Sequence, residues 1–179
     1  NNLGYVLMLI GEFDQALPLL NEGLALSRAL ANDGYVAMAL NHLGNVAWLQ
    51  GDVVTARSQF EESLALRRRI DDRVGVGKSL YGLAALADAQ GEYDQARVYL
   101  EESLAIAREV GDRRQAVYSL NGLGEVALAQ GDIVAARQFH EEGLAAAREL
   151  ADKISIAYAL EGLGFEACTQ SDCPAARRY

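Results

Sequence analysis

The sequence is poor in cysteine and histidine, the residues on which disulfide scaffolds and most metal sites depend. Its 179 residues include two cysteines, two histidines, two prolines and one tryptophan. Disulfide-stabilised domains are smaller and richer in cysteine, so the composition is typical of a reducing compartment, and we expect a cytoplasmic protein. No apolar run approaches the ~18 residues that cross a bilayer. We therefore expect no membrane segment and no cofactor or metal site.

Basic residues are also in the minority. Sixteen lysines and arginines stand against 25 aspartates and glutamates, which gives a net charge of -9. Nucleic-acid-binding proteins usually carry a basic surface, because neutralisation of phosphates supplies much of their affinity. The charge thus argues against nucleic acid and favours protein partners. Only Lys78 and Lys153 are lysines, and this preference for arginine, together with abundant alanine, suggests a GC-rich bacterial gene.

A repeat of forty residues runs through the whole chain. Its copies are Leu3-Gly4-Tyr5, Leu43-Gly44-Asn45-Val46-Ala47, Leu83-Ala84-Ala85-Leu86-Ala87, Leu123-Gly124-Glu125-Val126-Ala127 and Leu163-Gly164. A fixed period of 20–50 residues is typical of a solenoid, in which each unit buries its apolar face on its neighbours. We predict one solenoid domain over 1–179, with units at 33–72, 73–112 and 113–152 and partial units at 1–32 and 153–179.

Each unit divides into two helices. Val36, Leu40, Leu43 and Val46 recur at spacings of three and four, which is one face of a helix. A glycine then ends the first helix, because glycine enters the left-handed terminal conformation freely. These glycines are Gly11, Gly51, Gly91 and Gly131. An acidic or amide residue is expected to cap or charge each helix start. The predicted capping residues are Glu12, Asp52, Glu92 and Asp132 for the second helices, and Asn32, Asp72, Asp112 and Asp152 for the first helices.

Small residues recur in the middle of the first helices, at Gly4, Gly44, Gly124 and Gly164, with Ala84 as the exception. A mid-helix glycine costs ~1 kcal/mol relative to alanine. Its repetition predicts that the helix backbones approach closely at these positions, with leucines filling the grooves beside them.

This pattern resembles the tetratricopeptide repeat family, and the resemblance covers the whole chain. It is carried by Leu83-Ala84, Gly91-Glu92-Tyr93, Ala96 and Leu100, and again by Leu43-Gly44, Gly51-Asp52-Val53, Ala56 and Phe60. The period is forty residues instead of the usual 34, and the proline that often closes the repeat is absent. Forty-residue versions are similar to those of Leu-Gly-Asn repeat adaptors and of sensor regions in bacterial regulators.

The resemblance implies an all-α, right-handed superhelical solenoid of antiparallel helix pairs. It also implies that the first helices line a concave face that holds a peptide or a partner helix. Candidate partner-binding residues lie one step away from the buried stripe of these helices. They are Tyr5, Met38, Asn41, Asn45, Trp48, Lys78, Tyr81, Tyr118, Asn121, Glu125, Tyr158 and Glu161, and the same face adds Met8, Asp88 and Phe165.

Two residue types on this face suit a bound chain. Aromatic side chains often carry binding energy. Asparagine can both donate to and accept from a peptide backbone. The alternative for Trp48, Tyr118 and Tyr158 is that they pack between neighbouring repeats. For the asparagines we expect side chains open to a partner.

Several other groups are less specific. Gly75-Val76-Gly77-Lys78-Ser79 resembles a phosphate-binding loop, but the motif needs a glycine where Asp72 stands and a preceding strand. A basic cluster of Arg67, Arg68, Arg69 and Arg73 either binds an acidic group or forms a solvated face. We expect His140 to be partly buried with a single hydrogen bond. For Cys168 and Cys173 we expect a small apolar role in the core.

The sequence therefore predicts a non-catalytic scaffold that binds a protein or peptide in its concave face, as part of a larger bacterial regulatory protein. The alternative is a structural module whose uncapped ends stack into a homo-oligomer and whose concave face holds no ligand. Neither end shows the polar capping helix that solenoids need for solubility, which supports the alternative. An enzyme is the third and weakest hypothesis.

Overall fold

The computed structural model describes residues 2–169, and nearly all of them are helical. Within this range nine helices follow one another without a strand, so the all-α prediction is confirmed. They are α1 (Asn2–Leu9), α2 (Phe13–Ala29), α3 (Asp33–Leu49), α4 (Val53–Arg69), α5 (Arg73–Ala89), α6 (Tyr93–Val110), α7 (Arg113–Ala129), α8 (Ile133–Glu149) and α9 (Lys153–Thr169). The odd-numbered helices are the first helices of each pair, and the even-numbered helices are the second.

The turns between the two helices of a pair use glycine as the sequence predicts. Gly11, Gly51, Gly91 and Gly131 have φ of 81°, 81°, 75° and 78°. The turns that lead from one pair to the next also use the left-handed conformation, which the sequence analysis missed. There Ala31, Asp71 and Ala151 have φ of 49°, 56° and 53°, and Gly111 has φ of 73°. Three of these four turns thus place a residue with a Cβ in a conformation that costs ~1–2 kcal/mol.

Aspartate caps the helices as predicted, and glutamate does not. Asp52 Oδ1 accepts a hydrogen bond from Thr55 N over 3.1 Å, and Asp132 Oδ1 accepts one from Ala135 N over 3.0 Å. The side chains of Glu12 and Glu92 make no cap hydrogen bond to a backbone N–H of the helix, and Glu12 Oε2 instead accepts from the Gln15 side chain over 3.2 Å. The extra methylene moves the carboxylate away from the backbone N–H groups that a cap must reach.

The chain divides into two compact units, Asn1–Leu86 and Ala87–Tyr179, which we call unit 1 and unit 2. Unit 1 holds α1 to α4 and most of α5. Part of its core consists of Met8, Ala16, Leu20, Leu43 and Val46. Unit 2 holds the end of α5 and α6 to α9, and a core cluster there joins Leu144, Ala159 and Leu163.

In both units a large side chain from a second helix packs between glycines of two consecutive first helices. In unit 1 the ring of Phe60 lies between Gly44 of α3 and Gly82 of α5. A Cβ built at either glycine would stand 2.8 Å from Phe60 Cε1, which is too close. His140 takes the same place in unit 2, between Gly124 and Gly162. The glycines at 44 and 124 thus make room for a ring from the second helix, whereas we expect from the sequence a close approach of two helix backbones.

Candidate functional site

All twelve predicted partner-binding residues lie on first helices. Six are exposed, namely Tyr5, Lys78, Tyr81, Glu125, Tyr158 and Glu161. Four are half-buried, namely Met38, Asn45, Trp48 and Tyr118. Asn41 and Asn121 are buried, and so is Met8, which belongs to the core cluster around Leu20. A binding role for the twelve stays a prediction, and their exposure limits which of them a partner could touch.

The two asparagines do not stand open to a partner as we expect from the sequence. Asn41 of α3 is 8% exposed, and Asn121, the equivalent residue of α7, is 7% exposed. Asn121 Nδ2 donates a hydrogen bond to the backbone oxygen of Ser155 on α9 over 3.3 Å. The amide therefore joins consecutive first helices, and this use could not be read from a period alone.

A cleft of about 340 Å³ opens in unit 1 between α3, the end of α4 and the start of α5. We call it the unit 1 cleft. Its lining includes Tyr35, Asn41, His42, Arg67, Asp72 and Lys78. Arg67 comes from a second helix, whereas the predicted site consisted of first-helix residues alone. Its position, at the start of the basic run Arg67-Arg68-Arg69, would have placed it on the inner face of α4 in a strict helical reading.

Arg67 is the buried cation of the unit 1 cleft, with 4% of the residue exposed. Its Nη1 donates a hydrogen bond to the backbone oxygen of Gly75. Its Nε lies 3.9 Å from Asp72 Oδ2, beyond hydrogen-bond distance, and has no hydrogen-bond partner among the described residues. Burial lowers the pKa of Arg67 from its ordinary value, and the charge of Asp72 offsets part of that effect. The guanidinium therefore has a buried donor without a partner in the wall of the cleft.

His42 forms another wall of the unit 1 cleft. Its ring stacks on the ring of Tyr5, with the centroids 4.7 Å apart and the planes at 29°. Burial lowers the pKa of His42 to about 4, and the charges of Arg67 and Lys78 add to the effect. The imidazole is therefore neutral at pH 7, and its buried Nδ1 has no hydrogen-bond partner among residues 2–169.

Three acidic side chains, Asp88, Glu125 and Glu161, form a group on the first helices of unit 2. The pKa of Glu125 is raised because surrounding protein reduces its solvation, and the charges of Asp88 and Glu161 contribute in the same direction. Loss of solvation also raises the pKa of Asp88. Glu125 is nevertheless accessible, so it lies in a partly desolvated recess and not in the core. Aromatic side chains flank the acidic group, with Tyr158 55% exposed and Phe165 59% exposed.

Unit 2 also contains a buried polar group beneath this surface. His140 Nδ1 lies 2.7 Å from Glu166 Oε1, and both side chains are almost inaccessible. Arg137 Nε lies 3.7 Å from Glu166 Oε2. The expected single hydrogen bond of His140 is present, but the residue is fully buried instead of partly buried, and its partner could not be identified from the sequence. Glu166 stands where Val46, Leu86 and Val126 stand in the other repeats, and this departure is the signal that could have found it.

Models of known families match most of the chain. One model described as tetratricopeptide repeat matches residues 1–69 and 35–109, and a second model of the same description matches 117–142. The chain belongs to the tetratricopeptide repeat family. The forty-residue subgroup stays a prediction.

Solved structures share this tetratricopeptide repeat fold. BtubC (BKLC) from P. vanneervenii superposes with a TM-score of 0.83 at 18% identity, over 98% of this chain and 73% of that chain. TPR-like repeats from Podosopora anserina, assigned as a kinesin light chain, give 0.74 at 17% identity, over 99% and 88%. A single-substitution variant of those repeats gives 0.75 at 17% identity, over 99% and 87%. At this identity the likeness shows the fold, an all-α solenoid, as predicted. No curated protein matches the sequence.

Four residues differ in type from their equivalents in the other tetratricopeptide repeats of this chain, and all four are buried or line the unit 1 cleft. His42 stands where Gly82, Gly122 and Gly162 stand, and Arg67 stands where Ala107 and Ala147 stand. His140 and Glu166 replace the apolar residues of the other copies. Each departure places a polar or charged group inside an apolar architecture, and such groups are costly to bury without partners. They therefore mark the places where unit 1 and unit 2 are specialised.

The other groups that the sequence analysis names occupy ordinary structural positions in the tetratricopeptide repeats. The segment that resembles a phosphate-binding loop lies within α5 and forms no loop. Arg69 pairs with Asp33 over 2.6 Å at an exposed site. Cys168 is exposed, contrary to the expected core role, and Cys173 lies outside the described residues.

No helix in the described part of the chain is long and apolar enough to cross a membrane. Residues 2–169 also contain no group of three or more metal-ligating side chains.

Proposed function

We propose that the chain is a non-catalytic scaffold that binds a protein or peptide on the first-helix surface. The observation that carries the proposal is the exposed aromatic pair Tyr158 and Phe165 on α9, next to Glu125 and Glu161. Exposed aromatics beside charged groups have the composition of binding hot spots. Tetratricopeptide repeats commonly mediate protein interactions, and this also supports the proposal. The acidic surface of unit 2 fits a partner segment that is basic and apolar.

The cellular context of this proposal is a larger bacterial regulatory protein in the cytoplasm, in which the repeats detect a partner for an effector domain. The arginine-rich, lysine-poor composition and the pattern Glu-Glu-Ser-Leu-Ala at 61–65 and 101–105 support this context. The net charge of -9 supports a protein partner instead of nucleic acid.

A capture experiment tests the binding function. Wild-type protein and the double variant Tyr158→Ala/Phe165→Ala would be immobilised and exposed to a bacterial lysate, with captured proteins quantified by mass spectrometry. The control is Val98→Ala/Val134→Ala, which removes exposed apolar side chains from the second helices α6 and α8. We expect at least one protein that the wild type and the control retain and the aromatic double variant loses. If capture does not depend on the aromatic pair, this surface is not the binding site.

We propose as a second candidate function self-association through the exposed apolar surface of α1. It is favoured by exposed apolar residues at the end of unit 1, where Leu3, Val6, Leu9 and Ile10 are each at least half exposed. Large exposed apolar patches mark interaction surfaces. Light scattering over a range of concentrations would compare the wild type with Leu9→Asp. A wild-type protein that is monomeric at every concentration would exclude this function.

A further inference from the structure

We propose that the buried pair His140–Glu166 is a proton-operated switch that sets how strongly the acidic group on the first helices of unit 2 binds a basic partner. The pair carries one negative charge when the imidazole is neutral and no net charge when it is protonated. The proposal rests on the scaffold function, because it concerns the same surface, and it adds a way in which pH regulates binding there.

The fold does not require a charged pair at this place. The equivalent positions of the two preceding repeats hold buried apolar residues, namely Leu100 and Val126, and Phe60 and Leu86. Replacement of a buried ion pair by apolar residues is often neutral or stabilising. Stability therefore gives no reason for the pair, and its charge points to a role in the surface that lies over it.

The geometry allows the pair to gain and lose a proton while its hydrogen bond persists. His140 Nδ1 lies 2.7 Å from Glu166 Oε1. Because an ionised carboxylate only accepts hydrogen bonds, Nδ1 keeps its proton and donates it to Oε1. The proton that is exchanged with solvent is then the one on Nε2. The neutral and the charged imidazole therefore keep the same contact between α8 and α9.

The ring of His140 lies against the backbone beside two members of the acidic group. The ring atom nearest to a Cβ built at Gly124 of α7 would be Nε2, and the one nearest to a Cβ built at Gly162 of α9 would be Cε1. Glu125 follows Gly124 in the chain, and Glu161 precedes Gly162. A proton on Nε2 therefore adds its charge on the side of α7, next to the position of Glu125.

This position couples the charge of the pair to the charge of the surface. Loss of solvation raises the pKa of Glu125, and the charge of protonated His140 opposes that effect. The interaction is mutual, so the Glu125 carboxylate favours the protonated imidazole in return. Each helix that packs on the ring brings charged groups near it: Glu125 on α7, Arg137 on α8, and Glu161 and Glu166 on α9.

The direction of regulation follows from these charges. When the pH rises and Nε2 loses its proton, the pair becomes negative and adds to the acidic group, so a cationic partner binds more tightly. When the pH falls, the pair becomes neutral and the surface attracts the partner less. By reciprocity, a bound cationic segment lowers the pH at which His140 becomes protonated.

Nuclear magnetic resonance of the full chain with ring-labelled histidine measures the coupling. The chain has two histidines, so His42→Gln assigns the signals of His140. Glu125→Gln removes one negative charge from the acidic group and should lower the midpoint pH of the His140 titration by at least about 0.3 units. The matched control is Glu101→Gln, which removes the same charge from an exposed position on α6 and should shift the midpoint by less than about 0.1 units.

A binding measurement then tests the regulatory role. The probe is a short N-acetylated and C-amidated peptide of alternating lysine and leucine, and isothermal titration calorimetry measures its affinity above and below the midpoint of His140. We expect the wild type to bind at least about twofold more tightly at the higher pH. This ratio should fall in His140→Phe/Glu166→Leu, which keeps the acidic group but has no titratable pair.

The proposal is overturned if the His140 imidazole keeps one protonation state from about pH 5 to about pH 9, or if Glu125→Gln and Glu101→Gln shift its midpoint equally. It is also overturned if the double variant retains the full pH dependence of binding. A peptide that binds at neither pH excludes a basic partner, and with it the regulatory role of the pair. Capture that depends on Tyr158 and Phe165 is a separate result, so the scaffold function can hold where the switch fails.

Discussion

Unit 1 and unit 2 repeat the same helix pairs but bury their charges in different places. In unit 2 the buried charged group is Glu166, whose Oε1 lies 2.7 Å from His140 Nδ1 and whose Oε2 lies 3.7 Å from Arg137 Nε. In unit 1 the buried charge is Arg67, which reaches a cleft that opens to solvent and keeps an unused donor. The same helix-pair architecture thus accommodates a buried carboxylate paired with a histidine in unit 2 and a buried guanidinium in the wall of a cleft in unit 1.

The comparison also shows how one substitution redirects a hydrogen bond. The repeat provides an asparagine in the first helix and a backbone oxygen in the next first helix, and in unit 2 these two groups bond to each other. In unit 1 the arginine competes for the oxygen, and the asparagine loses it. A departure from an internal repeat thus changes the partners of residues that are themselves unchanged.

The largest expected effect comes from converting the core position of unit 2 to that of unit 1. His140→Phe, which copies Phe60, would keep the Glu166 carboxylate buried and remove the histidine that pairs with its Oε1. Breaking a buried pair in this way should lower the free energy of unfolding by about 3–5 kcal/mol. We expect a value near the lower end, because Arg137 Nε lies 3.7 Å from Glu166 Oε2 and its charge still stabilises the carboxylate. Urea denaturation followed by circular dichroism measures the change.

The control for that substitution is the double variant His140→Phe/Glu166→Leu, which copies both Phe60 and Leu86. It replaces the pair by apolar residues, an exchange that is often neutral or stabilising. We expect the double variant to be at least as stable as the wild type. An equally destabilised double variant would mean that the ring itself does not fit between Gly124 and Gly162.

The second effect is a pH dependence that belongs to unit 1. His42 has a pKa of about 4 in the folded chain, against 6.5 ordinarily, so between these values the unfolded state binds a proton that the folded state does not. Stability should therefore fall as the pH decreases from 6.5 to 4, by at most about 3 kcal/mol from this residue. The difference in unfolding free energy between the wild type and His42→Gln, measured across this range, isolates the contribution. Parallel pH profiles for the two proteins would contradict it.

The third test exchanges the residues that distinguish the unit 1 cleft from unit 2. Arg67→Ala frees the Gly75 oxygen for Asn41 Nδ2 and removes a buried charge, and we expect about 1 kcal/mol of added stability. Ala147→Arg forces a long side chain into a closed interior and should cost about 1–3 kcal/mol. Thermal or urea unfolding of both variants measures these opposite signs. Destabilisation by both substitutions would show that Arg67 stabilises unit 1.

The sequence predicted the helices and the turns within each pair because these depend on local residues. The spacing of Leu40 and Leu43 defines a helix face. Gly51 adopts a φ of 81° because it has no Cβ, and this depends on no other residue. The exposure of the predicted binding residues depends instead on which group, distant in the sequence, each side chain contacts in the fold. The burial of Asn121 follows from the Ser155 oxygen on another helix, and no local pattern contains that information.

The unit 1 cleft could have been anticipated in part. Comparison of each repeat with the others identifies Arg67 and His42 as departures, but only the packing of α4 against α3 and α5 brings them together with Asn41 and Lys78. The aspartate caps were predictable, and the failure of Glu12 and Glu92 to cap was not. The difference there is one methylene in side-chain length, which a pattern of acidic residues does not distinguish.

The smallest effect concerns the turns that lead from one helix pair to the next. Asp71 of unit 1 has φ of 56°, whereas Gly111 of unit 2 has φ of 73° with no Cβ to resist it. Asp71→Gly should raise the free energy of unfolding by up to about 1 kcal/mol, since the relief of backbone strain exceeds the added entropy of the unfolded chain. Gly111→Ala should lower it by about 1 kcal/mol, and urea denaturation measures both.

Asp71→Ala is the control that separates backbone strain from charge. It removes the carboxylate from an already acidic chain but keeps a Cβ in the left-handed conformation. Strain therefore predicts a gain for glycine and none for alanine. If alanine stabilised the protein as much as glycine, the gain would come from lost charge repulsion, and the two units would not differ in the strain of these turns.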